Sequence, residues 1–262
     1  MEYFRRYDPE TLSDPHFRDT DIEHQRGLAD IDWRARRLVP RRPDEIDAKT
    51  VRAAYYAMIE LIDAELGRIL AHLQASGARR NTIVIFMSDH GEMLGDHGLL
   101  EKGCRFYEGL VRVPLLVSWP GHIAEGRRCD ALVELIDVAP TLLEFAGLSV
   151  PSLMQGRSLG PLLAGDGADG QHRSFVRTEY YRARGRPPGQ IFATMYRDRR
   201  WKLVIYHSHG AGELYDLEDD PWEFVDRWND PAYQDIKAEL SAGSFDATVL
   251  ASDPGPPRRH AD

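Results

Sequence analysis

Two short apolar segments, residues 82–87 (TIVIFM) and 113–119 (VPLLVSW), bracket a loop crowded with charge, and this arrangement restricts the fold more than any other feature of the chain. The first segment is β-branched and nearly continuous, the pattern expected of a strand buried on both faces in a sheet covered by helices. Polarity switches at Ser88, so Asp89, His90, Gly91 and Glu92 stand at the carboxyl end of that strand, where open α/β sheets place their ligands. An adjacent Asp and His combine a hard oxygen with an imidazole nitrogen, a donor set that suits divalent cations from calcium through manganese to zinc. The plain alternative is a strand end closed by an Asx-type turn beside a surface histidine.

The loop that follows carries Asp96, His97, Glu101, Lys102, Arg105 and Glu108 before the second strand begins. A loop with both charge signs between two core strands points to a site rather than a mere connection. Lys102 offers a fixed cation for an anionic substrate and, with a lowered pKa, an acid for a leaving oxygen. A solvated lysine is the plain alternative.

SDHGEMLGDHGLLEKG, followed by YEGLVRVPLLVSWPG, resembles the second catalytic motif of the sulfatases, members of the alkaline phosphatase superfamily. The short DHG element is shared across that superfamily. A lysine 102 − 89 = 13 positions after the aspartate, then Tyr-Glu, then Arg-Val-Pro before a strand ending in Pro-Gly, is narrower and resembles sulfatases and phosphonate monoester hydrolases. The resemblance implies that Asp89 and His90 ligate a divalent metal ion, calcium or manganese, and that Lys102 contacts sulfate or phosphate oxygens. The Asp-His pair is closest to choline-sulfatase and phosphonate-hydrolase members.

Other segments agree with that resemblance. Residues 44–77 read as one long helix, with Asp44 as cap, Asp47 in the first turn and Gly77 at the end. Val51, Tyr55, Met58, Ile62, Leu66, Ile69 and Leu73 recur at three- and four-residue steps, a stripe that predicts burial in the core. Residues 136–147 read as a short helix ended by glycine, and Gly156-Arg157-Ser158-Leu159 as a structural element. A glycine-rich interval, residues 165–170, marks a subdomain boundary. Beyond it, residues 175–180, 191–196 and 201–206 read as strands of an antiparallel sheet, and residues 231–240 as a final helix. The run from Trp201 through Glu213-Leu214-Tyr215-Asp216-Leu217 to Asp220-Pro221 resembles the small carboxyl-terminal sulfatase domain, with its acidic cluster as a structural turn. His207 and His209 are either loop histidines or residues at the mouth of the site, with His209 the candidate for substrate contact.

The expected fold class is therefore α/β: the carboxyl-terminal part of an alkaline-phosphatase-like α/β sandwich with a small antiparallel-sheet subdomain. The expected units are an incomplete core over residues 1–165, a small α+β subdomain over 166–251 and a disordered proline-rich tail over 252–262.

Charge and composition narrow the partners. A formal charge of −9 argues against nucleic acid, and the basic cluster Arg34, Arg36, Arg37, Arg41 and Arg42 lacks interleaved aromatics for base stacking. No apolar run approaches the roughly 18 to 20 residues needed to span a bilayer. Cys104 and Cys129 build neither a disulfide framework nor a zinc motif. The expected partner is a small sulfate or phosphonate ester, with a homo-oligomer allowed. The absence of a signal peptide favours a cytoplasmic location, although a chain starting midway through its family would have lost one.

The sulfatase nucleophile is a formylglycine made within a Cys/Ser-x-Pro/Ala-x-Arg motif, which does not occur here: Arg-Phe-Tyr-Glu follows Cys104 and Asp-Ala-Leu-Val follows Cys129. Two readings result. One is a metal- and formylglycine-dependent sulfate ester hydrolase, or alternatively a phosphonate or phosphate ester hydrolase, whose nucleophile is expected in a missing amino-terminal part. The other is a catalytically dead remnant acting as a binding or interaction protein. A sheet stripped of its first strands would expose an edge prone to aggregation, which favours the enzyme.

Overall fold

A computed structural model of the chain describes residues 2–28, 31, 39–165, 172–181 and 191–252. Arg34, Arg36 and Arg37 of the basic cluster, the boundary interval 166–170 and the tail from 253 onward lie outside the described residues. Helix α1 (Asp19–Gly27) leads to the long α2 (Ala48–Ala75) and then to strand β1 (Val84–Met87). The short α3 (Glu108–Val111) precedes β2 (Leu115–Ser118), followed by α4 (Val138–Phe145) and α5 (Gly160–Ala164). Strands β3 (Val176–Tyr181), β4 (Phe192–Arg197), β5 (Trp201–Tyr206) and β6 (Ala211–Asp216) come next, and α6 (Gln234–Ala251) closes the order.

The long helix forms as expected, but it starts at Ala48, with Asp47 rather than Asp44 at its N-cap in a left-handed conformation of φ 47°. Its apolar stripe is not core. Met58 is 54% exposed, Ile62 51% and Ile69 57%, while the buried residues of α2 are Ala48, Arg52, Ala53 and Ala57 near its start. Three-to-four periodicity tells which face of a helix favours burial, not whether the chain supplies a surface to cover it.

Among the described residues strand β1 pairs with β2 alone, and it does so antiparallel, Val84 opposite Ser118 and Met87 opposite Leu115. The expectation of a strand buried on both faces is corrected here. Among the described residues the sheet has two strands, and Met87 and Leu116 remain exposed.

The carboxyl-terminal sheet is antiparallel in the order β3-β4-β5-β6. Its fourth strand occupies Ala211–Asp216, where the sequence suggested only the approach to a turn. Alternation of side chains assigns its two faces. Leu203 and Leu214 are directly opposite in the ladder and pack with Leu240 of α6, flanked by Trp201, Ile205, Trp228 and Ile236. Lys202, Val204 and Tyr206 share the other face with Glu213 and Tyr215. Against that face lie Cys104 and Phe106, in a cluster that also takes in Leu28, Ile31, Ile191, Ala193 and Met195. This cluster joins the segment just after α1 and the charged loop to the small sheet.

Candidate active site

The DHG turn is set by backbone crowding. A Cβ on Gly91 would lie 1.9 Å from the Gly109 carbonyl oxygen, and the Gly91 N–H donates to Leu110 O at 2.8 Å. Only glycine permits that approach. Asp89 stands out to solvent with its side chain 85% exposed, and the His90 side chain is 43% exposed. His90 Nδ1 donates to Gly91 O at 2.8 Å, which fixes the tautomer and leaves the Nε2 lone pair available as a ligand. That Nε2 lies 3.7 Å from Asp89 Oδ2. These donors fit one arm of a divalent-cation site. Among the described residues no group of three or more His, Cys, Asp or Glu side chains is placed to hold a metal ion. Calcium takes 6–8 oxygen ligands and zinc about four, so a complete site would need ligands besides these two.

The loop then folds back on itself. Met93 N–H donates to Glu101 O at 3.3 Å and Gly95 N–H to Leu99 O at 2.8 Å, returning Lys102 to the neighbourhood of the DHG turn. Three non-glycine residues in this stretch have left-handed backbones: Leu94 at φ 50°, His97 at φ 52° and Glu101 at φ 66°. Such residues persist only where their surroundings hold them, and they cluster at functional sites. Lys102, directly after the last of them, is exposed and forms no ion pair or hydrogen bond with a described residue.

The other charged residues of the loop serve to hold it. The Arg52 guanidinium, buried at the start of α2, donates to Leu94 O at 3.0 Å and pairs with Asp96, which also accepts the His16 N–H at 2.8 Å. His97 is buried, stacked on Tyr107 at 4.0 Å and paired with Asp21 at 3.4 Å, so it is a packing residue. Glu108 and Glu223 share the ammonium of Lys202, which is fully buried and also donates to Phe106 O at 2.9 Å. The Glu108 Oε1 contact of 2.7 Å is an ion pair without hydrogen-bond alignment. The two carboxyls separate in acidity. Burial pushes Glu223 up despite Lys202, whereas for Glu108 the pull of Lys202 and Arg197 overrides burial and holds it below the usual range.

One buried cluster escaped sequence reasoning. Glu213 accepts from Tyr206 at 2.6 Å, Tyr215 at 2.7 Å and Tyr107 at 3.3 Å, and pairs with His24 Nε2 at 2.9 Å. Gln25 bridges it to the loop, donating to the Tyr107 hydroxyl at 2.6 Å and accepting from Arg105 Nε at 2.8 Å. Burial alone would raise the Glu213 carboxyl, but His24 and Arg105 hold it down to about 2. Burial first, then the Glu213 charge, pushes the phenols of Tyr107, Tyr206 and Tyr215 well above their ordinary value, so they remain donors. The available signal was strand phase: Glu213 alternates in register with Tyr215, opposite Val204.

His209 lies exposed in the β5–β6 turn, where its N–H donates to Tyr206 O at 3.2 Å. No contact links it to Asp89 or Lys102 among the described residues. Cys104 is buried and Cys129 exposed, both unbridged. Farther away, Gly156-Arg157-Ser158-Leu159 packs as a structural clamp: a Cβ on Gly156 would lie 2.0 Å from Ile136 O, and the Arg157 N–H donates to Asp137 at 2.7 Å.

Comparison with known proteins identifies what the chain is similar to. Residues 2–148 match the family described as "Sulfatase", and residues 95–246 match "N-sulphoglucosamine sulphohydrolase, C-terminal". An arylsulfatase of Clostridium perfringens is 35% identical over 190 residues, covering 71% of this chain and 38% of the relative. An N-acetylglucosamine-6-O-sulfatase of Bacteroides thetaiotaomicron is 34% identical, covering 71% of this chain and 33% of its own. Among solved structures, a phosphonate monoester hydrolase from Silicibacter pomeroyi has a TM-score of 0.83 at 26% identity, covering 96% of this chain and 53% of that one. The structure of BT4656 in complex with its substrate D-glucosamine-2-N,6-O-disulfate has a TM-score of 0.70 at 30% identity, covering 80% and 42%. The chain thus spans between a third and two fifths of these two curated relatives and about half of the solved structures.

Proposed function

We propose a function from one established fact: this chain belongs to the sulfatase family. It contributes the second half of a sulfate ester hydrolase site, in which Asp89 and His90 form one arm of a divalent-cation site and Lys102 grips a sulfate oxygen. The observation that carries this reading is the His90 ring, oriented by its own Gly91 carbonyl bond so that Nε2 and Asp89 Oδ2 face one another at ligand spacing. A bound cation, calcium or manganese, would supply Lewis acidity toward the ester oxygens. Lys102 places a positive charge where negative charge develops, and its exposure leaves the ammonium available to substrate. His209, also exposed, is the second candidate for substrate contact.

The remaining metal ligands and a formylglycine nucleophile would come from sequence beyond these 262 residues. The uncovered apolar stripe of α2 and the two-stranded β1–β2 sheet support this, since both offer surface for more of the same fold. The likeness in shape to a phosphonate monoester hydrolase supports a second substrate class, phosphonate esters. Identity of 35% to an arylsulfatase, against 26% to the hydrolase, favours sulfate.

A two-ligand arm binds cations weakly, so the test is paramagnetic relaxation by Mn2+ in the isolated chain. Broadening centred on Asp89 and His90, and abolished by Asp89→Ala, is expected. Broadening elsewhere with His90 spared would sink the metal assignment.

A further inference from the structure

We infer that Glu213 is a positioning residue for Lys102: its buried carboxylate pins the segment that follows the lysine and thereby sets where the ammonium is presented. The inference rests on the proposed role of Lys102 as the sulfate contact. A lysine side chain with no partner among the described residues is placed by its backbone, and that backbone is strained on one side and anchored on the other. Before Lys102, the left-handed residues Leu94, His97 and Glu101 each cost on the order of 1–3 kcal/mol and need external support. After it, Cys104, Arg105, Phe106 and Tyr107 are all buried.

The support converges on one carboxylate. Tyr107 donates to Glu213 and also stacks on His97, so the pin reaches the strained turn through a single aromatic ring. Gln25 ties Arg105 to the same Tyr107 hydroxyl, and the Arg105 guanidinium returns to Cys104 O at 2.8 Å. Apolar residues filling this volume would hold the sheet to the loop at least as strongly, because buried polar clusters seldom exceed hydrophobic packing in stability. Hydrogen bonds add direction, which apolar contacts lack. Six side chains, His24 and Gln25 from α1, Arg105 and Tyr107 from the loop, and Tyr206 and Tyr215 from two strands, converge around Glu213 and fix the orientation of residues 104–107 as well as their depth.

The test compares Glu213→Gln, Glu213→Asp and Tyr107→Phe in this chain by amide hydrogen exchange, with the lysine ε signals recorded during titration with sodium sulfate. Lys49, Lys102, Lys202 and Lys237 are the only lysines, so the Lys102 signal can be followed individually. Glu213→Gln is expected to speed exchange over residues 94–107 at least ten-fold, with α4 changing less than two-fold. Tyr107→Phe, which deletes one hydroxyl and no bulk, is expected to give at least three-fold over the same residues. Glu213→Asp keeps the charge but withdraws the carboxylate; a role in charge balance alone predicts wild-type exchange, whereas positioning predicts loosening. The sulfate affinity read at Lys102 should fall at least five-fold in Glu213→Gln. Unchanged exchange at residues 94–107 in Glu213→Gln and Tyr107→Phe overturns the inference. Loosened exchange with no sulfate response at Lys102 in the unaltered chain supports the pin and overturns the role given to Lys102.

Discussion

Replacing Lys202 with Met probes the joint between the loop and the small sheet. Methionine keeps most of the hydrocarbon stem and removes the ammonium, which is fully buried and lies 2.7 Å from both Glu108 Oε1 and Glu223 Oε1. Breaking a buried ion pair by deleting one partner costs about 3–5 kcal/mol. The Phe106 carbonyl also loses its donor, a loss that overlaps the first, so the expected total is about 4 kcal/mol. Domains are stable by about 5–15 kcal/mol, so this is a large fraction of the whole. With a urea m-value of about 3 kcal/mol/M, the midpoint should fall by more than about 1 M at pH 8. The effect should also depend on pH. Arg197 still faces Glu108 in the variant, so Glu223, already raised by burial, is the carboxyl that takes up a proton. A carboxyl whose folded pKa exceeds its unfolded value favours the fold below the unfolded value and withdraws that support as pH rises through the folded one. The deficit relative to the unaltered chain should therefore be smaller at pH 5 than at pH 8. A loss below about 1 kcal/mol at pH 8, with no difference at pH 5, would refute the reasoning about this buried cluster.

Other expectations follow from single contacts. Glu213 is lowered from 4.5 to about 2, so it contributes stability above pH 4.5 that is lost as pH falls toward 2; the shift corresponds to about 3 kcal/mol. Acid titration of tryptophan fluorescence should show a transition in that window that Glu213→Gln flattens. Asp137, fully buried among Arg173, His172 and two backbone N–H groups, should lose about 3 kcal/mol on change to Asn, measured by thermal unfolding. Gly91→Ala, whose Cβ would collide with Gly109 O, should displace the DHG turn and abolish Mn2+ broadening at His90. The isolated chain should show no turnover of sulfate esters; clear turnover by purified material would contradict the assignment of the nucleophile to other sequence.

Much of the candidate site is proposed from the sequence because its markers are local. Asp89, His90 and Lys102 follow an apolar strand at fixed spacing, and the long helix and three of the small strands announce themselves by period. What escaped depends on partners distant in sequence. The run at 82–87 says that a strand wants burial, but nothing in four paired residues encodes that β2 runs antiparallel to it. Nothing local in the sequence marks Glu213 or Lys202 as buried; the ladder that sets Lys202 opposite Tyr215 and Glu213 opposite Val204 turns both toward Phe106 and Tyr107. His97 looked like a candidate in a charged loop until its ring was found stacked on Tyr107. The α2 stripe is the reverse case: its pattern was read correctly as apolar, and its partner surface is absent among the described residues.

The central claim is that this chain carries the metal arm and the oxyanion-gripping lysine of a sulfatase site. Its most direct test joins the chain to the amino-terminal part of a sulfatase and measures kcat/KM for an aryl sulfate and a phenylphosphonate ester. Turnover of the sulfate should appear only in the joined protein. Removing one preorganised charge contact costs roughly 10²–10³ in rate, so Lys102→Ala should fall by that factor, and Asp89→Ala by at least as much. Sulfate turnover in the joined protein that survives both substitutions unchanged would contradict the account.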